Sequence, residues 1–556
     1  MSGGAAPPWQ SLYPPGVRWD APIATGTLPA LLDRCAASHG ARTAFAFRDV
    51  RLSYADLAAR ADRLAAGLLR ADIAAGQSVA LYLPNTLWHP ICFFAILRTG
   101  AWVVHLSPLD PPRALARKLV DSGARTMVTT NLPAVFPNAL ALLAEGAAER
   151  LVVGEDADWG KSADAPLIPD DPRILRAGAL DAVPPAGWPA IAAESIAVLQ
   201  YTGGTTGLPK AAMLSHGNLT AAVAIYTAWD AGMARPLARG ERVILVLPLF
   251  HIYALTAVML RGLALGVELL LRPRFDVETT LADIEQRRAV YFPGVPTMWI
   301  ALVNHPGIET RDLSALHVAG SGGASLPFEV AQRWRGLTGL RLGGGWGMTE
   351  TCPAGTAIPP EIEFGPGAIG VPLPGIEMDV VSLDDPRRVL PPGDVGEIRI
   401  RGPNVFAGYW NRPEETEAAF ANGWFLTGDI GTMDARGMFT LLDRKKDMIL
   451  SGGFNVYPRA IEEAIHEHPS VAEAAVIGIA DAYRGQAAKA FVRLRVGAPG
   501  FTLEELRDFL GSRLGRHEIP AALEVREDLP RTSVGKLAKL VLIEQEESRT
   551  RDQKRS

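Results

Sequence analysis

Val79-Ala-Leu-Tyr-Leu83, then Trp88-His-Pro-Ile-Cys-Phe-Phe-Ala-Ile-Leu-Arg-Thr-Gly100, then Ala101-Trp-Val-Val-His-Leu106 follow one another almost without interruption. The first and third runs are short and apolar without alternation. The second is long enough for a helix. Strands that are apolar on both faces and joined through a helix are the signature of a parallel sheet covered on both sides. The rhythm returns downstream. Arg242-Val-Ile-Leu-Val-Leu247 leads through an apolar helix to Val267-Glu-Leu-Leu-Leu271. Leu281–Arg288 leads into Ala289-Val-Tyr-Phe292, and Leu316-His-Val-Ala-Gly320 precedes a helix through Gln332. The expected fold class is α/β, with two similar α/β subdomains in one large N-terminal unit and no repeat of fixed period.

Around this frame the texture changes. A polar, proline-rich leader opens the chain, followed by a helix pattern near Leu28–Ala37. Next come a hairpin-like stretch, Ala44–Tyr54, and an amphipathic helix, Ala55–Leu69. After Glu361, Ile369–Val381, Gly396–Gly402 and Phe439–Arg444 are short β-rich runs between Pro/Gly turns, which predict a small β-rich subdomain. Beyond Asp447 the pattern becomes that of a compact α+β domain. Arg459–His468 and Leu503–Leu514 read as helices, Val471–Ala480 and Lys489–Val496 as strands. The tail, Glu544–Ser556, is charged and is expected to fray.

Composition narrows the function classes. The chain has 556 residues, 48% hydrophobic and 21% charged, and 55 basic against 60 acidic residues give a net charge of −5. Disorder, collagen and coiled coil are excluded, and so large a chain calls for at least two domains. Near-neutral charge gives no reason to expect nucleic acid or an anionic membrane as partner, so a phosphate-bearing ligand must be held by local groups. Cys35, Cys92 and Cys352 lie too far apart for a disulfide framework or a close-spaced zinc site, and a reducing compartment is the simplest reading. No secretory signal is visible. The most apolar stretch, Val243–Leu271, is broken by Pro248, His251 and Arg261, so it reads as strand plus helix rather than a transmembrane segment.

Four segments carry chemistry. Leu199-Gln-Tyr-Thr-Gly-Gly-Thr-Thr-Gly-Leu-Pro-Lys210 follows an apolar strand and precedes a helix expected near Asn218. Its glycines let N–H groups and hydroxyls converge on phosphate oxygens, and Lys210 adds a point charge. It is not a Walker A loop, since Leu-Pro precedes the lysine and Ala211 follows it. Gly343-Gly-Gly-Trp-Gly-Met-Thr-Glu350 offers a flat ring, Trp346, for stacking and a carboxylate, Glu350, for a hard cation such as Mg²⁺. In Gly423-Trp-Phe-Leu-Thr-Gly-Asp429 the acid can accept both hydroxyls of a ribose, with Arg444 of Asp443-Arg-Lys-Lys-Asp447 beside it. Pro530-Arg-Thr-Ser-Val-Gly-Lys536 ends in a lysine that gains weight only from its order after the other three. Taken singly, each also reads blandly, as a polar turn, a core tryptophan, a solvated carboxylate or a surface run.

Together, in this order and spacing, they resemble the adenylate-forming superfamily of acyl-CoA synthetases, luciferases and peptide-synthetase adenylation domains. The resemblance runs from about residue 27 to about 543. Pro248–Thr256 and Asp443–Pro458 are most similar to bacterial medium- and long-chain fatty acyl-CoA ligases. It implies a domain of residues 1–445 that binds AMP and the acyl group, and a mobile C-terminal domain of residues 446–556. Thr202, Gly203, Gly204, Thr205, Thr206, Gly207 and Lys210 would hold the phosphates of ATP. Gly322, Gly323, Ala324 and Trp346 with Gly347, Met348 and Thr349 would frame the adenine, and Asp429 and Arg444 the ribose. Glu350 and Thr205 would serve Mg²⁺. Lys446 falls at the hinge, and His251 at the gate between acyl pocket and nucleotide. Lys536 would be the catalytic lysine of the first half-reaction, and Gly452, Gly453, Phe454 and Asn455 would line the approach of the CoA thiol in the second. Trp346 is a departure, since the family usually has tyrosine there.

The activity so implied is ATP-dependent activation of an aliphatic carboxylic acid as acyl-AMP, then transfer to coenzyme A, in the cytoplasm, with peripheral membrane contact left open. Three alternatives stand beside it: a dicarboxylate (pimelate-like) ligase with Arg261 as a candidate distal cation, an acyl-AMP ligase loading a carrier protein, and a nucleotide-binding regulatory module. The last predicts loss of Lys210, Glu350 or Lys536, and all three are present.

Overall fold

The computed structural model describes residues 7–160, 165–202, 210–233, 235–324, 326–451, 454–481, 483–532 and 537–553. Two seven-stranded sheets build the N-terminal part. One runs Ile174–Arg176, Arg150–Gly154, Thr126–Thr130, Ser78–Leu81, Trp102–His105, Ile196–Thr202, Lys210–Ser215, parallel up to its last, antiparallel pair. The other runs Leu342–Gly344, Val318–Ser321, Tyr291–Gly294, Arg242–Leu245, Glu268–Leu271, Thr43–Phe47, Val50–Ser53, again parallel up to its last pair.

Alternation along the strands separates the layers. Val79 and Leu81, with Val243 and Leu245, enter one core shared by the two sheets. Ala80 and Tyr82 face helices Pro112–Ser122 and Phe136–Ala144 on one outer side. Ile244 and Val246 face Val277–Glu285, Pro296–Val303 and Phe328–Thr338 on the other. Between the sheets lie Leu28–His39, Tyr54–Arg70 and Trp88–Arg98, the last buried at every position, which explains its lack of a polar face. The hairpin-like stretch is a hairpin, but it joins the distant sheet, with Phe45 opposite Leu269.

Asn85, 3% exposed, ties the sheets together. Its Nδ2 donates to the carbonyls of Leu247 at 3.0 Å and Arg272 at 3.1 Å, and its Oδ1 accepts from Leu249 N–H at 2.9 Å. One side chain thus fixes the turn that leads into His251. The β-rich segment forms an antiparallel sheet ordered Thr356–Ala357, Ala368–Pro372, Phe439–Arg444, Trp424–Met433, Gly396–Arg401, Glu377–Val381. The leader packs on it: Trp9 and Leu12 are buried, and Tyr13 donates to the Pro372 carbonyl.

A further sheet, Phe454–Val456, Ile449–Ser451, Gly485–Leu494, Val471–Asp481, carries Ala522–Val525 alongside Gly485–Leu494. Helices Pro458–His466 and Leu503–Leu510 cover one face, and Lys539–Gln553 packs on the other. The tail does not fray where expected, since this helix continues to Gln553. Leu542 is fully buried, and Lys489–Glu546 and Arg549–Glu524 pin the helix to the sheet at 2.7 and 2.6 Å. None of the described helices is long and apolar enough to cross a membrane, and the three cysteines are free and buried.

His105 and His89 are enclosed between the strand Trp102–His105 and the helix Trp88–Arg98, with ring centroids 5.3 Å apart. Burial holds both imidazoles neutral, His105 down to about 4 from an ordinary 6.5. The unfolded chain takes up protons below about pH 6.5 that the folded chain refuses, so acid favours unfolding across that window. The unfolding midpoint is expected to drop between pH 6.5 and 4, and less steeply in His105→Gln; parallel pH profiles for the two proteins contradict this. Asn85→Ala should lower the folding free energy by about 2–3 kcal/mol in denaturant titration.

Candidate active site

The hairpin Ile196–Thr202/Lys210–Ser215 brings Thr202 opposite Lys210, with the Thr202 hydroxyl donating to the Lys210 carbonyl at 3.3 Å. Gly203, Gly204, Thr205, Thr206 and Gly207 lie outside the described residues, as do Gly452, Gly453 and Lys536. The helix after the hairpin, His216–Asp230, is started by a reciprocal cap between Ser215 and Asn218.

From Lys210 a chain of contacts runs inward. Its ammonium lies 5.3 Å from the ring centre of Tyr409, whose hydroxyl donates to Glu350 Oε1 at 2.9 Å. Glu350 sits in a tight turn, Thr349–Thr351, and is 5% exposed. Burial raises its carboxyl above the usual range, while Tyr409 and the charge of Arg444 pull it back. Asn404, fully buried, holds the following loop by donating to the carbonyls of Thr351 at 2.6 Å and Ala354 at 2.7 Å.

Asp429, with no exposed surface, lies across the strand pair from Arg444. Trp346 Nε1 donates to its Oδ2 at 2.6 Å. Arg444 Nε approaches Oδ1 at 2.6 Å without hydrogen-bond geometry, so that oxygen keeps an unused acceptor site. Burial raises this carboxyl too, against Arg444 and Trp346. Lys446 is within electrostatic reach of Asp429, Glu350, Arg444 and Asp447, and its ammonium is lowered chiefly by partial burial.

The indole of Trp346, expected as an open stacking surface, is only 8% exposed and packs on Gly355, where a Cβ would come within 2.5 Å of the ring. Its N–H serves the carboxylate instead. Gly347 passes so close to the Pro353 carbonyl that no side chain fits there, and Met348 N–H is held by Thr351 Oγ1 at 3.0 Å. Gly322 donates to the Gly294 carbonyl at 3.1 Å, and Gly323 takes a φ of +78° that suits glycine, with exposed Ala324 following. His251 precedes an unusual π-helix, Tyr253–Leu260, and its Nδ1 accepts from Tyr253 N–H at 3.3 Å.

Lys210, Trp346, Glu350, Asp429, Arg444 and Lys446 are thus gathered together. Phe454, 58% exposed and 4.9 Å from the His517 ring, stands with Asn455 on the C-terminal sheet. Among the described residues no hydrogen bond or ion pair joins either to that group. Tyr409 and Asn404 escaped the sequence reading. Gly408, with a φ of +139° beside Thr416, was the available signal of a tight approach. Among the described residues no cluster of three or more His, Cys, Asp or Glu could hold a metal. A single carboxylate, Glu350, whose Oε1 accepts from Tyr409, fits Mg²⁺ that takes its other ligands from phosphate and water.

Residues 32–410 match the model of the AMP-binding enzyme family, and residues 460–536 its C-terminal domain. The chain belongs to that family. It is 37% identical to a long-chain-fatty-acid–CoA ligase of Bacillus subtilis over 97% of this chain and 98% of the relative. A ligase of the same name from Escherichia coli is 35% identical over 95% and 96%. ATP-bound MatB from Rhodopseudomonas palustris superposes with a TM-score of 0.80 at 30% identity, covering 93% of this chain and 98% of that one. This family member is accordingly an AMP-forming acid–thiol ligase.

Trp346→Phe removes a buried hydrogen bond to a carboxylate, worth about 1.5–3 kcal/mol. Calorimetric affinity for ATP is expected to fall about tenfold or more; unchanged affinity contradicts the role given to the Trp346–Asp429 contact.

Proposed function

We propose that this chain joins a medium- or long-chain fatty acid to coenzyme A through an acyl-AMP. The observation that carries this is the gathering of the Asp429–Arg444 pair, 2.6 Å apart, in one site with Glu350 and Lys210. In the proposed assignment the ribose hydroxyls bond Asp429 and Arg444. The adenine lies along Gly322–Ala324 and Trp346–Thr349. The phosphates rest in the loop from Thr202 to Lys210. Glu350 and Thr205 would hold Mg²⁺, which when bound offsets charge on the phosphate oxygens.

A carboxylate resists attack by a thiolate because negative charge would build beside its own. Here its oxygen attacks the α-phosphorus, pyrophosphate leaves, and the thiol then attacks the carbonyl carbon and expels AMP. Charge develops on phosphoryl oxygens in the first step, so cations placed in advance supply the acceleration. Lys536 serves that step, and the loop of Gly452, Gly453, Phe454 and Asn455 guides the thiol in the second. Turning of residues 446–556 about Lys446, against the unit of residues 1–445, exchanges the two. His251 gates the passage from acyl pocket to nucleotide. The similarity to full-length fatty-acid ligases supports this chemistry, and free buried cysteines support a cytoplasmic location.

The dicarboxylate alternative loses its cation: Arg261 is held by Asp230 through two hydrogen bonds of 2.7 and 2.6 Å, so its charge is already matched. Loading of a carrier protein gains no support from full-length relatives named as CoA ligases.

Purified protein with a fatty acid, MgATP and CoA should release AMP and pyrophosphate in amounts matching the thioester formed. Lys536→Ala should slow acyl-AMP formation by about 10²–10³ while still passing supplied acyl-AMP to CoA. Equal loss of both half-reactions contradicts the exchange of faces.

A further inference from the structure

The helix Phe328–Thr338 begins shortly after Gly322–Ala324, the expected adenine frame, and carries Glu329 in its first turn. From far along the chain, Arg495 Nη2 donates to both oxygens of that carboxylate, at 3.1 and 3.3 Å. The pair joins the two units that the proposed reaction turns against each other. Arg495 is aimed by its own unit. Its Nε donates to the Val471 carbonyl and its N–H to the Ser470 carbonyl, each at 2.9 Å, so the guanidinium is in place before Glu329 meets it. A second set of contacts lies beside the hinge, where Arg459 donates to the Leu441 carbonyl at 3.1 Å and, through its N–H, to Asp443 Oδ2 at 2.8 Å.

The strand Gly485–Leu494 shows which edge of the C-terminal unit is docked. Its first residue lies opposite Ser451, close to the hinge and next to the Gly452–Asn455 loop, and its last lies opposite Val471. Ten residues of strand span about 30 Å, so Arg495 stands at the edge far from both Lys446 and that loop. The far edge also holds the base of the other loop. Glu473, paired with Arg493, accepts from Arg493 Nε and from Arg531 Nη2, each at 2.7 Å, and Arg531 lies at the start of the segment Pro530–Lys536. His466 is within electrostatic reach of Glu473, Glu329 and Arg495, and burial holds its imidazole neutral, down to about 4 from an ordinary 6.5. The edge that meets Glu329 is thus the one carrying the base of the lysine segment, while Phe454 remains exposed at the other.

Resting on the ligase reading above, we infer that Glu329 and Arg495 are positioning residues whose ion pair clasps the C-terminal unit in the orientation that serves acyl-AMP formation, and that this pair parts before coenzyme A is used. Contacts beside a pivot move little when it turns, whereas a contact about 30 Å out along the sheet is carried away. With side chains 42% and 35% exposed, the pair is weak, which suits a contact broken and remade in every turnover.

The test uses the full chain and the saturated fatty acid it uses best, and times the two half-reactions separately in single turnovers. Pyrophosphate release with MgATP and no CoA follows the first; thioester formed from supplied acyl-AMP and CoA follows the second. Glu329→Gln and Arg495→Gln should each slow the first about two- to fivefold and leave the second as fast or faster. The double variant should slow the first no further than either single one, because the two residues act through one contact. Equal slowing of both half-reactions, no change in the first, or additive losses in the double variant overturn the clasp and leave the ligase reading standing. Slowing of the second half-reaction alone overturns the orientation assigned to it. Pyrophosphate from none of the fatty acids with the unsubstituted chain overturns the ligase reading and this inference with it.

Discussion

The hydrogen bond from Trp346 to Asp429 is the contact on which the rest of the site depends. It joins the glycine-rich segment that follows the strand Leu342–Gly344 to the antiparallel sheet carrying Asp429, and it does so around a carboxylate with no exposed surface. A buried carboxylate left without partners raises its pKa and goes neutral. Arg444 and Trp346 oppose that tendency. Glu350 is the same problem solved differently, with Tyr409 as donor and Arg444 within electrostatic reach. Two acids buried close together favour a ligand that brings hydroxyl donors to one and a cation to the other. In the proposed assignment a magnesium-bound nucleotide brings both.

Much of the fold was legible because its strands are apolar on both faces and its helices are of ordinary length. Val79–Leu83 and Arg242–Leu247 announce sheets covered on both sides, and residues alternate between inner and outer cores as the strand period requires. Pairing across long separations was not legible. Nothing local says that Phe45 lies opposite Leu269, because register between distant parallel strands is set by packing of the helices between them. The charged tail misled for a related reason, since its order comes from Leu542 and from ion pairs to residues far away in sequence.

The site divides in the same way. Asp429, Arg444, Glu350 and Lys210 belong to glycine-rich or turn-like motifs, where a residue type and its neighbours already limit the chemistry. Tyr409 and Asn404 belong to no such motif; their roles arise only when the segment around them docks beside the strand Lys210–Ser215 and the loop after Glu350. Trp346 was legible as an aromatic in the right place, while its work as a donor was not. Arg261 shows the opposite limit. Sequence offers it as a free cation near the acyl pocket, and only the folded chain reveals that Asp230, on the neighbouring helix, has matched its charge.

The proposed reaction requires that an oxygen of the substrate carboxylate attack phosphorus at this site. A fatty acid labelled with ¹⁸O in both carboxylate oxygens, converted to its CoA thioester in unlabelled water, follows that oxygen directly. Attack on the α-phosphorus predicts AMP carrying one ¹⁸O and pyrophosphate carrying none, read by mass spectrometry. Label in pyrophosphate or inorganic phosphate, or thioester formed with unlabelled AMP, contradicts it.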